Sequence, residues 1–283
     1  MKKNIIIAAV VLILVVAVWV GSSSKKSMPQ VSTGNAPSNS DFLNTTYVIG
    51  GQSIPLIAGV SQIPVNLGQG KIATLITKAA PGGAVKGDFN GDGTEDAAIF
   101  MAQKGNGDGI FYYVVASLQN ADKTVSGTDA IFLGDRVAPQ NILYSSGVLA
   151  INYVDRKPGE ALTVAPSVPK TKFVTVNQKK LIELNVASGE KIIAGSIVAA
   201  GDVSEFTPCG EKVSWISTNS PSFKDIKDVY AQVFPNANKP YSPVFGVLIG
   251  KDGSVPKTGA GSTYKKAFIA SQLINMNPGL RCN

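Results

Sequence analysis

The chain has 283 residues, 44% hydrophobic and only 16% charged, with 29 glycines and 16 prolines. That is enough for one or two domains with real cores, broken by many turns. The net charge of +7 is swollen by Lys2, Lys3, Lys25 and Lys26; removing those four from the 26 basic residues leaves 22 against 19 acidic ones. This small, scattered excess does not make a nucleic-acid surface. There is no histidine, which excludes a Ser-His-Asp triad, a Cys-His dyad, a His-ligated zinc and a His general base. Any chemistry falls to carboxylates, Lys, Tyr or a bound metal.

Met1 to Asn4 form a basic lead, and Ile5 to Val20 follow as an unbroken apolar run. As a helix such a run spans roughly 24 Å, somewhat short of a bilayer core of about 30 Å. Trp19 stands where an interfacial aromatic would. A signal peptide has the same build, but the apolar run is long and no A-x-A site follows it. The expectation is an uncleaved single-pass anchor over residues 1–21, contacting the membrane through residues 5–20. The bulk of the chain would then be extracytoplasmic, at the cell membrane. The alternative is a secreted or periplasmic protein released by signal cleavage. Lys25 and Lys26 nearly balance the positive flank on the other side. No cysteine follows the run, so a lipobox is excluded. Residues 22–44 are rich in Ser, Asn and Pro, cannot bury enough apolar surface to order themselves, and read as a flexible linker.

Residues 45–187 read as a β-rich domain. Thr46–Ile49 and Ser53–Ile57 flank Gly50-Gly51 as a hairpin would. Further strands are predicted over 71–78, 97–102, 111–118, 130–133, 148–154 and 173–176, with no helix of ten or more residues between them. Between the runs 71–78 and 97–102 lies Asp88-Phe-Asn-Gly-Asp-Gly-Thr-Glu-Asp96. Asp88, Asn90, Asp92 and Asp96 occupy positions 1, 3, 5 and 9 of a calcium-loop pattern, and the Thr94 carbonyl occupies position 7. Ca²⁺ takes six to eight oxygens at about 2.3–2.6 Å, and alternating Asp and Asn in a tight turn aim theirs inward. Gly91 and Gly93 supply the positive φ the turn needs. Four acids within nine residues repel one another unless a cation sits among them. Mg²⁺ is disfavoured, because it keeps its waters. The pattern is not an EF-hand: position 12 is Ile99, and the loop runs straight into a strand. It resembles the shorter calcium loops of FG-GAP repeats, which link two β-strands. One bound Ca²⁺ is therefore expected at Asp88, Asn90, Asp92, Thr94 and Asp96. The alternative is a solvated acidic turn without metal.

Gly105 to Gly109 form a second glycine-rich turn, whose Asp108 would either add a ligand or simply close the turn. Asp135-Arg136 and Asp155-Arg156 are two further charged pairs. Neighbours on a strand point to opposite faces, so neither pair is expected to bridge to itself; a cross-strand bridge, such as Asp135 to Arg156, is expected instead. Together with the loop, Phe111–Val115, Leu133–Gln140 and Asn152–Arg156 resemble an uncharacterised family of exported bacterial proteins over about residues 45–185.

Residues 188–283 read as a second domain. Phe223, Ile226, Val229, Tyr230 and Val233 recur at helical spacing, a strand is predicted over 243–250, and 264–275 ends the domain. Cys209 and Cys282 are the only cysteines, and in an exported chain they are expected as a disulfide. The order Gly201–Gly210, Trp215, helix, Pro240–Phe245 resembles the small OB-like barrel at the C-terminus of NlpE-type envelope lipoproteins. OB barrels often bind oligosaccharides or nucleic acid on one face. Here Phe206 and Trp215 are sparse and are expected in the core.

The fold expected is thus mainly β: an N-terminal transmembrane helix, a β-rich domain with a calcium loop, and a small C-terminal OB-like β-barrel with one helix. The function expected is that of a membrane-anchored, non-enzymatic calcium-binding protein with an envelope protein or a glycan as partner and no nucleic acid. Two other readings remain open. One is a hydrolase of an envelope glycan using the metal or a carboxylate pair such as Asp135 and Asp155; the other is an envelope-stress or adhesion sensor.

Overall fold

The computed structural model describes residues 41–66, 72–80, 83–234 and 241–282. The expected anchor and all of the linker before Asp41 lie outside the described residues. None of the described helices is long and apolar enough to cross a membrane. The described chain is mainly β.

Strands β1 (Thr46–Ile49) and β2 (Gln52–Pro55) form an antiparallel hairpin. Its turn, Gly50-Gly51, has φ of +58° and +82°, a conformation that two-residue hairpin loops require and glycine takes without strain. Strands β3 (Val60–Asn66), β4 (Ile72–Ala79), β5 (Val85–Gly87), β6 (Asp96–Lys104), β7 (Phe111–Gln119), β8 (Val125–Gly127) and β9 (Ile131–Asp135) build a seven-stranded sheet. In it β3-β4-β6-β7-β8 run side by side, while β5 also pairs with β6 and β9 with β7. Strands β10 (Ala138–Ser145), β11 (Val148–Asp155), β12 (Val168–Asn177) and β13 (Lys180–Leu184) form a sequential antiparallel sheet of four.

The sheets stack because β6 is apolar on both faces. Ala98 and Phe100 join Val114, Ala116 and Leu118 of β7 against Leu149, Ile151 and Val174 of the four-stranded sheet. Ala97, Ile99 and Met101 point the other way and are covered by Tyr47, Ile49, Ile54 and Leu56 of the hairpin, with Phe42 beside them. A continuous apolar run rather than an alternating one marks a strand buried on both sides.

The remaining elements are β14 (Lys191–Ala200), β15 (Val203–Pro208), β16 (Ser214–Ile216), helix α1 (Phe223–Val233), β17 (Val244–Gly253) and β18 (Ala267–Asn277). The strands close a barrel in the order β14-β15-β16-β18-β17, with β14 paired to β17. This OB-like barrel is filled by Ile197, Phe206, Ile216, Leu248 and Phe268, and α1 packs Ile226 and Tyr230 into the same core. Phe206 and Trp215 are both buried. Strand β17 is also apolar on its outer side, where Phe245, Val247 and Ile249 pack with Val148 and Leu184 of the four-stranded sheet. The described residues belong to one compact unit, and the chain passes from sheet to barrel between Leu184 and Lys191.

Several strands have no counterpart in the sequence reading. Strands β5, β8 and β16 are three residues each, too short to show periodicity. Strand β10 contains Pro139, and its register with β11 shifts between Pro139 and Asn141. That bulge lets an edge strand tolerate a proline.

Cys209 and Cys282 are bonded, 73 residues apart in sequence. They tie the end of β15 to the segment after β18. A cross-link closing a loop of that length contributes about 4 kcal/mol by restricting the unfolded chain. Replacing both cysteines with serine should therefore lower the urea-unfolding free energy by about that much. A double variant as stable as the wild type would show that the bridge adds nothing to a barrel already closed by hydrogen bonds.

Candidate functional site

The acidic loop joins β5 to β6. Gly91 and Gly93 have φ of +79° and +85°, so the chain curls tightly and presents its N–H groups to its own side chains. Asp88 is the hub. Its Oδ1 accepts the N–H of Gly91 (2.7 Å) and of Asp92 (3.1 Å), and its Oδ2 accepts that of Gly93 (2.9 Å). Asn90 Oδ1 also accepts the Asp92 N–H at 3.0 Å, while the Asn90 amide donates to Asp92 Oδ2 at 2.9 Å. Asp92 Oδ1 accepts the Thr94 N–H at 2.8 Å and lies 2.5 Å from the Thr94 hydroxyl. Burial pulls the Asp92 carboxyl upward, but the Thr94 and Asn90 bonds outweigh it and hold it below the usual range.

Asp96 faces the other way. It is fully buried. Its Oδ2 accepts the Phe89 N–H at 2.9 Å and its Oδ1 the Gln119 N–H at 3.0 Å. Burial pushes its carboxyl up to about 7, against the pull of those two bonds and with the charges of Asp92 and Asp88 adding to the rise. The structure therefore brings Asp88, Asn90, Asp92 and Thr94 together in one turn and sets Asp96 beneath it, pinning the loop to the end of β7. Among the described residues no group of three or more His, Cys, Asp or Glu side chains converges as a metal cluster. Glu95 leans instead on Lys86, at 3.6 Å.

Other residues bear on the loop from far along the chain. The Tyr144 hydroxyl donates to the Asp88 carbonyl, and its ring lies against Gly87, where a Cβ would come within 2.4 Å of it. Phe89 packs on the same ring, with centroids 5.1 Å apart. Beside Asp88, Asn90 and Gly91 is a cavity of about 90 Å³ whose far wall includes Asn275 and Asn277 of β18. Asn275 Oδ1 is shut off from solvent without a hydrogen-bond partner, while its amide donates to the Ser146 carbonyl at 3.4 Å. No local pattern announces these contacts, since they join residues tens to hundreds of positions apart.

The other candidates fall elsewhere. Asp108 is exposed in the turn after β6, at the far end of that strand from the loop. Asp135, not Asp108, fastens that turn, accepting the Ile110 N–H at 2.9 Å. The expectation that Asp135 and Arg136 would not bridge to each other is wrong: Arg136 Nε lies 3.2 Å from Asp135 Oδ1. Arg136 has φ of +52°, so it has left the strand and the alternation of faces no longer applies. Arg156 does reach across, but to backbone. Its Nη1 donates to the carbonyl of Arg136 at 2.9 Å and lies 3.4 Å from that of Asp135. Asp155 bridges to Lys170 at 2.6 Å. Burial acts upward on Asp135, but the Arg136 and Ile110 bonds prevail; on Asp155 the Lys170 bond is the leading influence. Both carboxyls end below the usual range, the opposite of what a general acid needs. In the barrel, Trp215 packs on Tyr264 with centroids 5.3 Å apart and rings tilted by 41°, and, like Phe206, it is buried.

No family model matches the chain, and no curated protein does. Among solved structures, the Cpx pathway activator NlpE from Escherichia coli overlays 80% of this chain and 99% of its own, at 10% identity and a TM-score of 0.26. An overlay that slight leaves fold and function to be argued from the chain itself.

Two outcomes follow from these contacts. Asp96→Ala strands the buried Phe89 N–H and the part-buried Gln119 N–H, each worth roughly 1–3 kcal/mol, so unfolding free energy should drop by about 2–5 kcal/mol with or without added cation. A drop under 0.5 kcal/mol would mean that water replaces the carboxylate. The Asp155–Lys170 pair stabilises the fold above the ordinary carboxylate range, because Asp155 is depressed; that contribution fades as pH falls through its folded value. On the basic side it fades as pH rises through the raised value of Lys170. The pair is largely solvent-exposed, so Lys170→Ala should cost only about 0.5 kcal/mol at pH 7. An NMR titration should show the Asp155 carboxyl returning toward the normal range in that variant.

Proposed function

We propose that this chain is a non-catalytic, membrane-tethered extracytoplasmic protein whose Asp88–Asp96 loop takes one calcium ion, and whose stacked sheets and barrel present binding surfaces to an envelope protein or glycan. The observation that carries this reading is the self-organised acidic turn. Asp88 gathers three loop N–H groups, and the Asn90 amide donates to Asp92 Oδ2, which keeps those two side chains next to each other. Among the described residues three carboxylates, Asp88, Asp92 and Asp96, share the turn without a salt bridge, while Lys86 is drawn to Glu95. Asp88, Asn90 and Asp92 side chains with the Thr94 carbonyl would hold the ion. Asp96, with both oxygens committed to N–H groups, would add its charge from below. Waters would fill the remaining positions of a calcium shell.

The tether is read from the apolar run Ile5–Val20 and the linker after it. The extracytoplasmic side agrees with the disulfide, since such bonds persist outside the reducing cytosol.

A ligand that binds only the folded state raises its stability, by about 2.7 kcal/mol at a hundredfold excess over Kd. The melting temperature should therefore rise by several degrees in millimolar CaCl₂ over EDTA, with a much smaller rise in MgCl₂ and none in an Asp88→Asn, Asp92→Asn variant. Equal melting temperatures of the wild type in EDTA and in calcium would overturn the metal reading. Fractionation of intact cells tests the tether separately: recovery in the soluble fraction would overturn it.

A further inference from the structure

The joint between the four-stranded sheet and the barrel is not filled. Elsewhere along it Leu184, Phe245 and Ile249 pack closely. Beside them lies an apolar groove with a volume of about 290 Å³. Val148, Ala150 and Phe173 form its wall on the sheet, and Ile192, Ala194 and Val247 its wall on the barrel. The gap has a local cause. Ala150 pairs with Phe173 across β11 and β12, and Ala194 pairs with Val247 across β14 and β17. Both walls thus carry a methyl group where a longer side chain would reach across.

We propose that this groove is a binding site for a single hydrocarbon chain, the acyl chain of a membrane lipid. A cavity of about 150 Å³ lined by Leu, Ile and Phe stays dry and accepts a benzene ring; this groove is nearly twice that size and mostly apolar, with Tyr144, Ser145 and Ser146 also in its lining. No charged side chain lines it, so a charged or strongly hydrated ligand would lose its water there without compensation. The groove ends at the β10–β11 turn, where Leu143 and Ser145 are exposed. An apolar side chain beside hydroxyls suits a chain that enters from its tail and leaves a polar head in water. The source of the chain rests on the tethered reading above. Residues 21–40 lie between the apolar run and the first described residue, and twenty residues span at most about 70 Å. The folded unit is therefore held within reach of the lipid surface.

The test titrates the wild-type protein, in water without vesicles, with decanol and with dioctanoylphosphatidylglycerol, reading backbone amide NMR shifts. Both should give saturable shifts centred on Ala150, Phe173 and Val247. Ala194→Trp, which fills the groove from the barrel side, should weaken both by at least tenfold while leaving the calcium response unchanged. Ala150→Leu, a milder filling, guards against a misfolded first variant and should weaken binding by a smaller factor. The inference is overturned if the wild type shows no saturable shifts at these residues, or if both filled variants bind as well as the wild type. Binding of decanol without the phospholipid would overturn the lipid assignment. Because no membrane is present, these outcomes are independent of whether the tether itself holds.

Discussion

The rest of the structure hangs on β6 being buried on both faces. An apolar strand with two dry sides needs a layer on each, and the chain supplies them from opposite directions in sequence: the β1–β2 hairpin before it and the four-stranded sheet after it. The four-stranded sheet then has an outer face of its own to cover, and Val148 and Phe173 on it pack toward the barrel. Each layer creates the demand that the next one meets. The barrel ends the series because closure removes its edges, and its outer side meets the sheet through β17 and the adjoining Ile192 and Ala194 of β14.

At the head of β6 this scheme meets an ionisable group. Asp96 is the first residue of the strand and takes the buried environment of the strand that follows it. A carboxylate there is costly unless it is hydrogen-bonded, and the Phe89 and Gln119 N–H groups meet that need. The same two bonds clamp the loop against the end of β7. The acidic turn is fastened at both ends: its last acid is anchored in the core, and its first acid, Asp88, gathers N–H groups on the solvent side. A substitution at either end acts on both the fold and the site.

What the sequence showed and what it hid divide along the range of the contacts. The Gly-Gly hairpin, the apolar run of β6, the glycines of the acidic turn, the spacing of Ile226 and Tyr230 and the cysteine pair are local or compositional signals, and each appears in the structure. The hidden parts are set by partners. β5, β8 and β16 exist because a neighbour offers hydrogen bonds, not because three residues carry a period. β10 was hidden by Pro139, whose missing donor is absorbed by a bulge. The Asp135–Arg136 bridge depends on one residue with positive φ, which strand alternation does not foresee. The inward turn of Asp96 was hidden for the same reason: a D-x-N-x-D-G-x-x-D pattern fixes spacing, but burial decides which acid faces solvent. Residues 1–40 fall outside the described residues, so the anchor remains a reading of composition.

Tyr144 shows how the parts of this molecule that bear on function are joined. Its hydroxyl holds the Asp88 carbonyl, its ring covers Gly87 and packs on Phe89, and its flank lines both the polar cavity beside the loop and the apolar groove at the barrel. The β10–β11 turn that carries it also receives the Asn275 amide from β18. Contiguity of this kind is not by itself energetic coupling. It does set a mechanical condition: the acidic loop cannot shift at Asp88 without either releasing the Tyr144 hydroxyl or dragging the turn that borders the groove. Releasing it would leave a half-buried phenol and a carbonyl to find new partners, at a cost of roughly 1 kcal/mol or more. Moving the turn would disturb Val148, which packs with Phe245, Val247 and Ile249 at the joint and also lines the groove. The lower-cost outcome is a loop that keeps its place, held at Asp88 by Tyr144 from one side and at Asp96 by the Phe89 and Gln119 N–H groups from the other.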